Sequence, residues 1–411
     1  MTTVLTNRQG SKISARARNA EPSPTLTLSA QVAALKAEGK AVIGFTAGEP
    51  DFDTPQNVKD AAIAALAAGD TKYTASAGSP ALKKAIIAKH LRDNGLTYAP
   101  NQIIASAGAK HSIYNLMQAL LEEGDEVLIP APYWVSYPEQ VKLAGATPVI
   151  VPSDERFIAT ASQFAKFVTP RTKLIVLNSP SNPTGAVYSR DELAEIADLA
   201  VSRGIYVMSD EIYEKVWFAD SKFVSFASLS DEAYKLTFTI NGVSKSHSMT
   251  GWRLGWAAGD AEVIAAMGRI QDQSTSNPTS ITQAAAVEAL NGPQDSVETM
   301  RVEFDKRRKI IVDGLRAIPG ITCNTPLGAF YVFPKVSGLY GRKWTNPESG
   351  VVKAIAGSDD FKDFLLTTVL VAVVPGSGFG ADEYVRLSYA CSTANIEQGL
   401  ARIADAVRRL D

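Results

Sequence analysis

Residues 172–210, TKLIVLNSPSNPTGAVYSRDELAEIADLAVSRGIYVMSD, decide the fold. TKLIVLN is a continuous apolar run, and IYVMSD is a second one. Between them Leu193, Ile196, Ala197, Ala200 and Val201 recur at the spacing of one helix face. A strand, a helix and a strand whose apolar run does not alternate predict a parallel sheet covered on both faces. The same rhythm stands upstream. IIASAG (103–108) precedes AKHSIYNLMQALLEEG, where Ile113, Leu116, Met117, Leu120 and Leu121 have helical spacing. After about residue 260 the pattern changes to long helices, AEVIAAMGRIQ, SITQAAAVEAL and a charged one over about 294–317. Strand-like GAFYVFP, VLVAVV and YVRLSYA follow, then a last helix near 394–410. The chain therefore reads as a large α/β domain followed by a smaller α+β domain, without internal repeats. SGLYGRKWTNPESG (337–350) reads as a mobile surface loop.

Composition narrows the function. In 411 residues, 41 Lys and Arg stand against 43 Asp and Glu, a net charge of −2 with no long basic run. Nucleic-acid binding needs clustered cations, so none is expected. Cys323 and Cys391 are the only cysteines and there are three His, too few for a disulfide framework or a thiolate metal site. No metal is expected, and a reducing compartment is. No apolar run approaches the roughly 20 residues that cross a bilayer, and none follows the first Met as a signal peptide requires. Residues 1–20 carry Arg8, Lys12, Arg16 and Arg18 and no acid before Glu21, which fits a transit peptide but better a flexible arm.

Ligands of open α/β sheets bind beyond the carboxyl ends of the strands. Gly108-Ala109-Lys110 opens a helix there, where free N–H groups can hold a phosphate or merely pack. The turn after Asn178 aims Asn182, and Asp210 ends IYVMSD with Tyr213 three residues on. Lys245 follows KLTFTING, and Arg253 follows Lys245 by eight residues. Alone, each has an ordinary structural reading as a cap, loop or solvated charge. Together, a lysine amine, a carboxylate, a phenol, an amide, an arginine and a phosphate-sized helix terminus meet at one sheet edge. Pyridoxal phosphate needs that inventory: an imine-forming lysine, a carboxylate beside the pyridine nitrogen, and cations and amides for its phosphate.

AGEPDFDTP, KYTASAGSPALKKAI, APYWVSYPE, NSPSNPTGAVY, SDEIYEK, SKSHSMTGWRLGW, GAFYVFP and VRLSYA stand in this order. With these motifs the chain resembles the fold type I, class I/II pyridoxal-phosphate aminotransferases, most of all the bacterial aspartate aminotransferase branch, subgroup 1b. The resemblance implies an arm and part of the small domain over 1–45, a large cofactor-binding domain over 46–300 and a small domain over 301–411. It implies that Lys245 holds the cofactor and moves the substrate Cα proton, that Asp210 partners the pyridine nitrogen, and that Tyr213 and Asn182 donate to the ring 3′ oxygen. Trp134 matches the residue that stacks on the ring. Gly108, Ala109, Lys110 and Arg253 match the phosphate site. Tyr73 matches a tyrosine reaching that phosphate from the other subunit of a homodimer. Arg386 matches the fork for the substrate α-carboxylate, with Gly48, Trp134 and Asn182 beside the substrate.

Lys110 is also the residue expected to select the side-chain carboxylate of aspartate or glutamate, and aspartate with 2-oxoglutarate is the expected pair, in the cytoplasm. Relatives that also use prephenate carry a basic residue just before the PSxT segment. Here Glu21 stands there, which predicts against prephenate unless Arg18 reaches in. Aromatic, alanine or arogenate specificity and β-elimination remain open on the same scaffold. A dinucleotide reading rests on Gly376-Ser-Gly378-Phe-Gly380-Ala381, but a strand-like run begins three residues later, where that fold needs a helix. Non-catalytic regulators on this scaffold stand behind a DNA-binding domain, for which the roughly 20 residues before the match leave no room.

Overall fold

The apolar runs of residues 103–258 build one seven-stranded sheet. The computed structural model describes residues 12–218, 223–347 and 349–411. A short strand, β1 (Ile43–Gly44), precedes β2 (Ile103–Ser106), β3 (Glu126–Ala131), β4 (Thr147–Pro152), β5 (Thr172–Asn178), β6 (Tyr206–Asp210), β7 (Thr237–Gly242) and β8 (Gly255–Ala258). The sheet order is β2-β8-β7-β6-β5-β3-β4. Every pair is parallel except those of β8, which runs antiparallel to both β2 and β7.

Successive residues of β5 point to opposite faces, and each face has its own core. Leu174 and Val176 pack with Ile113, Leu116, Met117, Met208 and Met267, beneath the helices Ala109–Leu120 and Ala261–Asp272. Ile175 and Leu177 pack with Leu193, Ile196, Ala197 and Ala200 of the helix Arg190–Arg203. Each such Leu or Ile contributes about 1.5–3 kcal/mol on burial, which is why these strands show no polar face. A Ser189–Glu192 capping box starts that helix and Gly204, at φ +62°, ends it. Val201 departs from its expected face: it is 37% exposed, because it stands about 100° round the helix from the buried Ala200, at the edge of the apolar stripe.

The rest of the chain forms a second layer. β9 (Tyr331–Val332), β13 (Val374–Pro375) and β14 (Val385–Ser388) make an antiparallel sheet with β14 in the middle, and β12 (Val371–Ala372) pairs with β1. VLVAVV is thus two short strands serving two sheets. The long helix Asp295–Arg316 and the last helix Thr393–Arg408 close this core around Phe304, Phe330 and Leu365.

Residues 337–350 do not form the loop expected of them. β10 (Lys343–Thr345) pairs with β11 (Val352–Ala354), and the Trp344 ring is buried 5.4 Å from that of Phe364. One large aromatic anchors a segment whose Gly and Pro content resembles a loop. Gly376–Phe379 is a single 3₁₀ turn between antiparallel β13 and β14, so the dinucleotide fingerprint lacks its βαβ frame. Arg8 lies outside the described residues. Arg18 bends back to donate to the Ile13 carbonyl at 2.7 Å. Among the described residues, no helix is long and apolar enough to cross a membrane.

Candidate active site

The parallel strands deliver their carboxyl ends to one side, where a cavity of about 700 Å³ opens. Asp210 is the last residue of β6, Asn178 the last of β5, and Lys245 sits in the turn after β7. Lys110, Trp134, Asn182, Tyr213, Arg253, Ala109 and Gly48 line the same cavity, and Arg386 enters it from β14 of the second layer. Gly108 immediately precedes Ala109 as the cap of the helix Ala109–Leu120. Of the expected residues only Tyr73 stands apart. It is 92% exposed and does not line the cavity of its own chain.

Asp210 is buried at the cavity floor. Its Oδ2 accepts from Tyr137 Oη at 2.6 Å and its Oδ1 from the Ile212 N–H at 3.2 Å. Burial pushes its carboxyl up to about 6, against the pull of those two donors and of Lys245. Burial also brings the Lys245 ammonium down to about 8; Glu49 opposes the shift, while Arg253 and Arg386 add to it. The amine donates to the Gly48 carbonyl, a contact within the AGEP motif that sequence reasoning did not foresee. A lysine at about 8 is neutral often enough near neutral pH to act as nucleophile and base.

Arg386 is 2% exposed, and among the described residues its guanidinium donates to two neutral oxygens, Asn182 Oδ1 and the Thr46 carbonyl, both at 2.9 Å. Its Nε is buried without a partner, and its carbon lies 4.6 Å from the centre of the Tyr331 ring. A buried guanidinium without a counter-charge among the described residues can take a carboxylate on its planar fork. Asn182 is fixed twice, by Arg386 and by its own N–H donating to Asn178 Oδ1 at 2.8 Å. Tyr213 Oη meets Tyr331 Oη at 2.8 Å.

The phosphate end is a cradle that side chains would fill. Gly108 has φ +92°, and a Cβ there would run into the Arg253 guanidinium; a Cβ on Gly255 would strike the Ala109 backbone. The first-turn N–H groups of Ala109 and Lys110 have no intrahelical acceptors, so dipole, amides and Arg253 converge on space for a dianion. With Lys245, Asp210 and the Trp134 ring, these residues fit pyridoxal phosphate. Lys110 Nζ lies 4.8 Å from the Trp134 ring centre, and burial and Arg253 lower its pKa. Sequence reasoning missed Tyr137 and Tyr331, although both stand inside motifs it quoted, APYWVSYPE and GAFYVFP.

The arrangement has known counterparts. A sequence model of the family Aminotransferase class I and II matches residues 40–403. An aspartate aminotransferase of Bacillus sp. (strain YM-2) is 52% identical over 94% of this chain and 97% of its own. An aspartate/prephenate aminotransferase of Cereibacter sphaeroides is 48% identical over 93% of this chain and 95% of its own. The crystal structure of the aspartate aminotransferase from Rhizobium meliloti superposes with a TM-score of 0.93 at 44% identity, covering 98% of this chain and all of that one.

Proposed function

The chain belongs to the aminotransferase class I and II family, and on that premise we propose that it moves the amino group of L-aspartate to 2-oxoglutarate, forming oxaloacetate and L-glutamate. It is a pyridoxal-phosphate enzyme of fold type I. When bound, pyridoxal phosphate supplies a cationic ring that takes up the electron pair left when the substrate Cα loses its proton. Asp210, at the cavity floor, would stand beside the pyridine nitrogen and, as a carboxylate, would keep a proton on it. Lys245 would hold the cofactor through its amine and, once freed, would serve as the base that takes the proton from the substrate Cα and the acid that gives it back. Arg386 grips the α-carboxylate through both arms of its fork, and Asn182 and the Thr46 carbonyl keep that fork in plane. Both half-reactions share one site, so the kinetics are ping-pong.

The observation that carries the substrate choice is that the cavity, beyond Lys245 and Arg253 at the cofactor end, offers cations for two carboxylates: Arg386, which donates to two neutral oxygens, and Lys110 on the wall beside Trp134, with Lys36 also on the lining. Glu21 separates this chain from a prephenate-using one. It is exposed, and its N–H donates to Glu139 Oε2 at 3.0 Å, so a second carboxylate stands beside it. The test is the visible spectrum of the cofactor-loaded protein. Addition of L-aspartate alone is expected to remove the cofactor band and 2-oxoglutarate to restore it. A protein that ignores aspartate but responds to alanine or phenylalanine would overturn the dicarboxylate reading.

The working unit in this reading is a homodimer with shared sites. Support comes from Tyr73, projecting freely, and from a surface depression of about 680 Å³ lined by Ile63, Leu66, Trp252 and Arg253. Arg253 lines both this depression and the deep cavity, so a side chain inserted from outside reaches the phosphate arginine. The division at residues 45/46 and 300/301 belongs to the same reading, supported by Ile43 and Phe45 packing into the core of the second layer. So does a cytoplasmic location, supported by two free cysteines, Cys323 and Cys391.

A further inference from the structure

Gln271, in the last turn of the helix Ala261–Asp272, is completely buried. Its carboxamide uses its full hydrogen-bonding capacity. Oε1 accepts from Ser106 Oγ at 2.7 Å and Asn115 Nδ2 at 2.9 Å, while Nε2 donates to the Ala105 carbonyl at 2.9 Å and the Ser76 carbonyl at 2.7 Å. Three of these partners belong to the phosphate cradle: Ala105 and Ser106 end β2 just before Gly108, and Asn115 lies in the helix that Ala109 opens. The fourth, Ser76, belongs to the segment that presents Tyr73.

That segment is pinned along its length. Gln283 Nε2 donates to Thr74 Oγ1 at 2.9 Å and Gln283 Oε1 accepts from the Ser79 N–H at 2.8 Å. Ser280 Oγ donates to the Asp70 carbonyl at 2.6 Å, and the Ala105 N–H donates to the Ala77 carbonyl at 3.0 Å. Tyr73 is thus a free side chain on a fixed backbone. Gln271 is the one side chain among these that bonds both the cradle and the Tyr73 segment.

We propose that Gln271 is a positioning residue that couples the two sites of the dimer: through one carboxamide it sets its own phosphate cradle and the Tyr73 that completes the partner subunit's site. This rests on the homodimer reading above. Leaving the Ser76 carbonyl unpaired shifts the Tyr73 backbone, and the effect reaches a site to which Gln271 contributes no atom.

The experiment uses mixed dimers. One subunit carries Lys245→Ala, so that covalently held cofactor reports only the other, unaltered site. With Gln271→Met added to the Lys245→Ala subunit, the dissociation constant for pyridoxal phosphate at the unaltered site is expected to rise about tenfold, the size of one buried hydrogen bond. Tyr73→Phe in that position should act alike. Gln283→Met, which loses bonds to the segment and to the Pro278 carbonyl but none to the cradle, should also weaken the unaltered site, and Ser106→Ala, which removes one cradle bond of Gln271 and leaves its bond to the Ser76 carbonyl, should not. Wild-type affinity at the unaltered site opposite Gln271→Met would overturn the proposal. Sedimentation that finds only monomers binding cofactor at full affinity would overturn the dimer reading itself and the proposal with it.

A measurement that does not depend on the folding of Gln271→Met is amide exchange in Tyr73→Phe protein, where the direct hydroxyl contact is absent. Loading with pyridoxal phosphate is expected to slow exchange at Gly78 and Ser79 severalfold. Unchanged exchange there would refute the coupling.

Discussion

Removing the Tyr137 hydroxyl should move the acid limb of the enzyme's pH profile upward. Tyr137→Phe keeps the ring, which meets Trp134 edge-on at 5.3 Å and 83°, so the fully buried position stays filled. What is lost is the 2.6 Å hydrogen bond to Asp210 Oδ2. A hydrogen bond to a charged group contributes about 1.5–3 kcal/mol. At about 1.36 kcal/mol per pKa unit, the Asp210 carboxyl should rise by about 1–2 units from its starting value. That value, about 6, is already raised by burial. The sign follows from the form that works. Only the carboxylate can hold a proton on the pyridine nitrogen, so activity falls as pH drops through this pKa, and a higher pKa means earlier loss. A bound cationic ring lowers the whole limb in both proteins and leaves the difference. The assay is kcat/KM for L-aspartate from pH 5 to 9 in both proteins, with a cofactor titration in parallel. An acid limb that stays within about 0.3 units, with the variant folded and loaded, would refute the view that Tyr137 tunes Asp210.

Lys245→Ala should abolish turnover and the covalently held cofactor, and a variant retaining both would remove the lysine from its role. Arg386→Lys should raise KM for aspartate by at least about tenfold, because a point charge cannot reproduce a planar fork and Asn182 Oδ1 loses its donor; unchanged kinetics would refute the carboxylate assignment. Lys110→Ala should lower kcat/KM for aspartate by about tenfold or more and leave alanine nearly untouched, and equal losses would take it out of the specificity argument. Glu21→Lys should raise activity on prephenate, measured as arogenate formed, while aspartate turnover stays close to wild type. No gain there would make the acid beside Glu139 irrelevant to substrate choice.

The sheet was legible because it is covered on both faces. Leu174 and Ile175 face different cores, so β5 carries no polar alternation and reads as a buried parallel strand without knowledge of its neighbours. The chemistry at its edge was legible for a related reason. Parallel strands end on one side, and residues just past those ends meet whatever the loops do. Legibility stops where a role depends on how one element is rotated against another. Tyr137 differs in sequence context little from Tyr133, which lies in the same motif, yet it is Tyr137, in the first turn of the helix Ser136–Leu143, whose hydroxyl reaches Asp210 at the end of β6.

Arg386 shows the same boundary from the other side. In Val-Arg-Leu the alternation marks it as opposite in face to Val385 and Leu387, and the ordinary partner of such a position is solvent. Here β14 is the central strand of its sheet, and the face it turns away from its own core is closed by Asn182 and Thr46, 204 and 340 residues away. A charge enclosed by neutral groups from so distant in the chain is costly to keep. In the reading proposed above, the substrate carboxylate supplies the missing counter-charge, at a place that the second layer and the sheet edge make together and neither makes alone. The family resemblance indicated the residue, and the distant neutral partners give the physical reason. The same argument covers Gln271: a carboxamide with four partners on three separate segments has no signature in local pattern, and only the assembled fold shows what it joins.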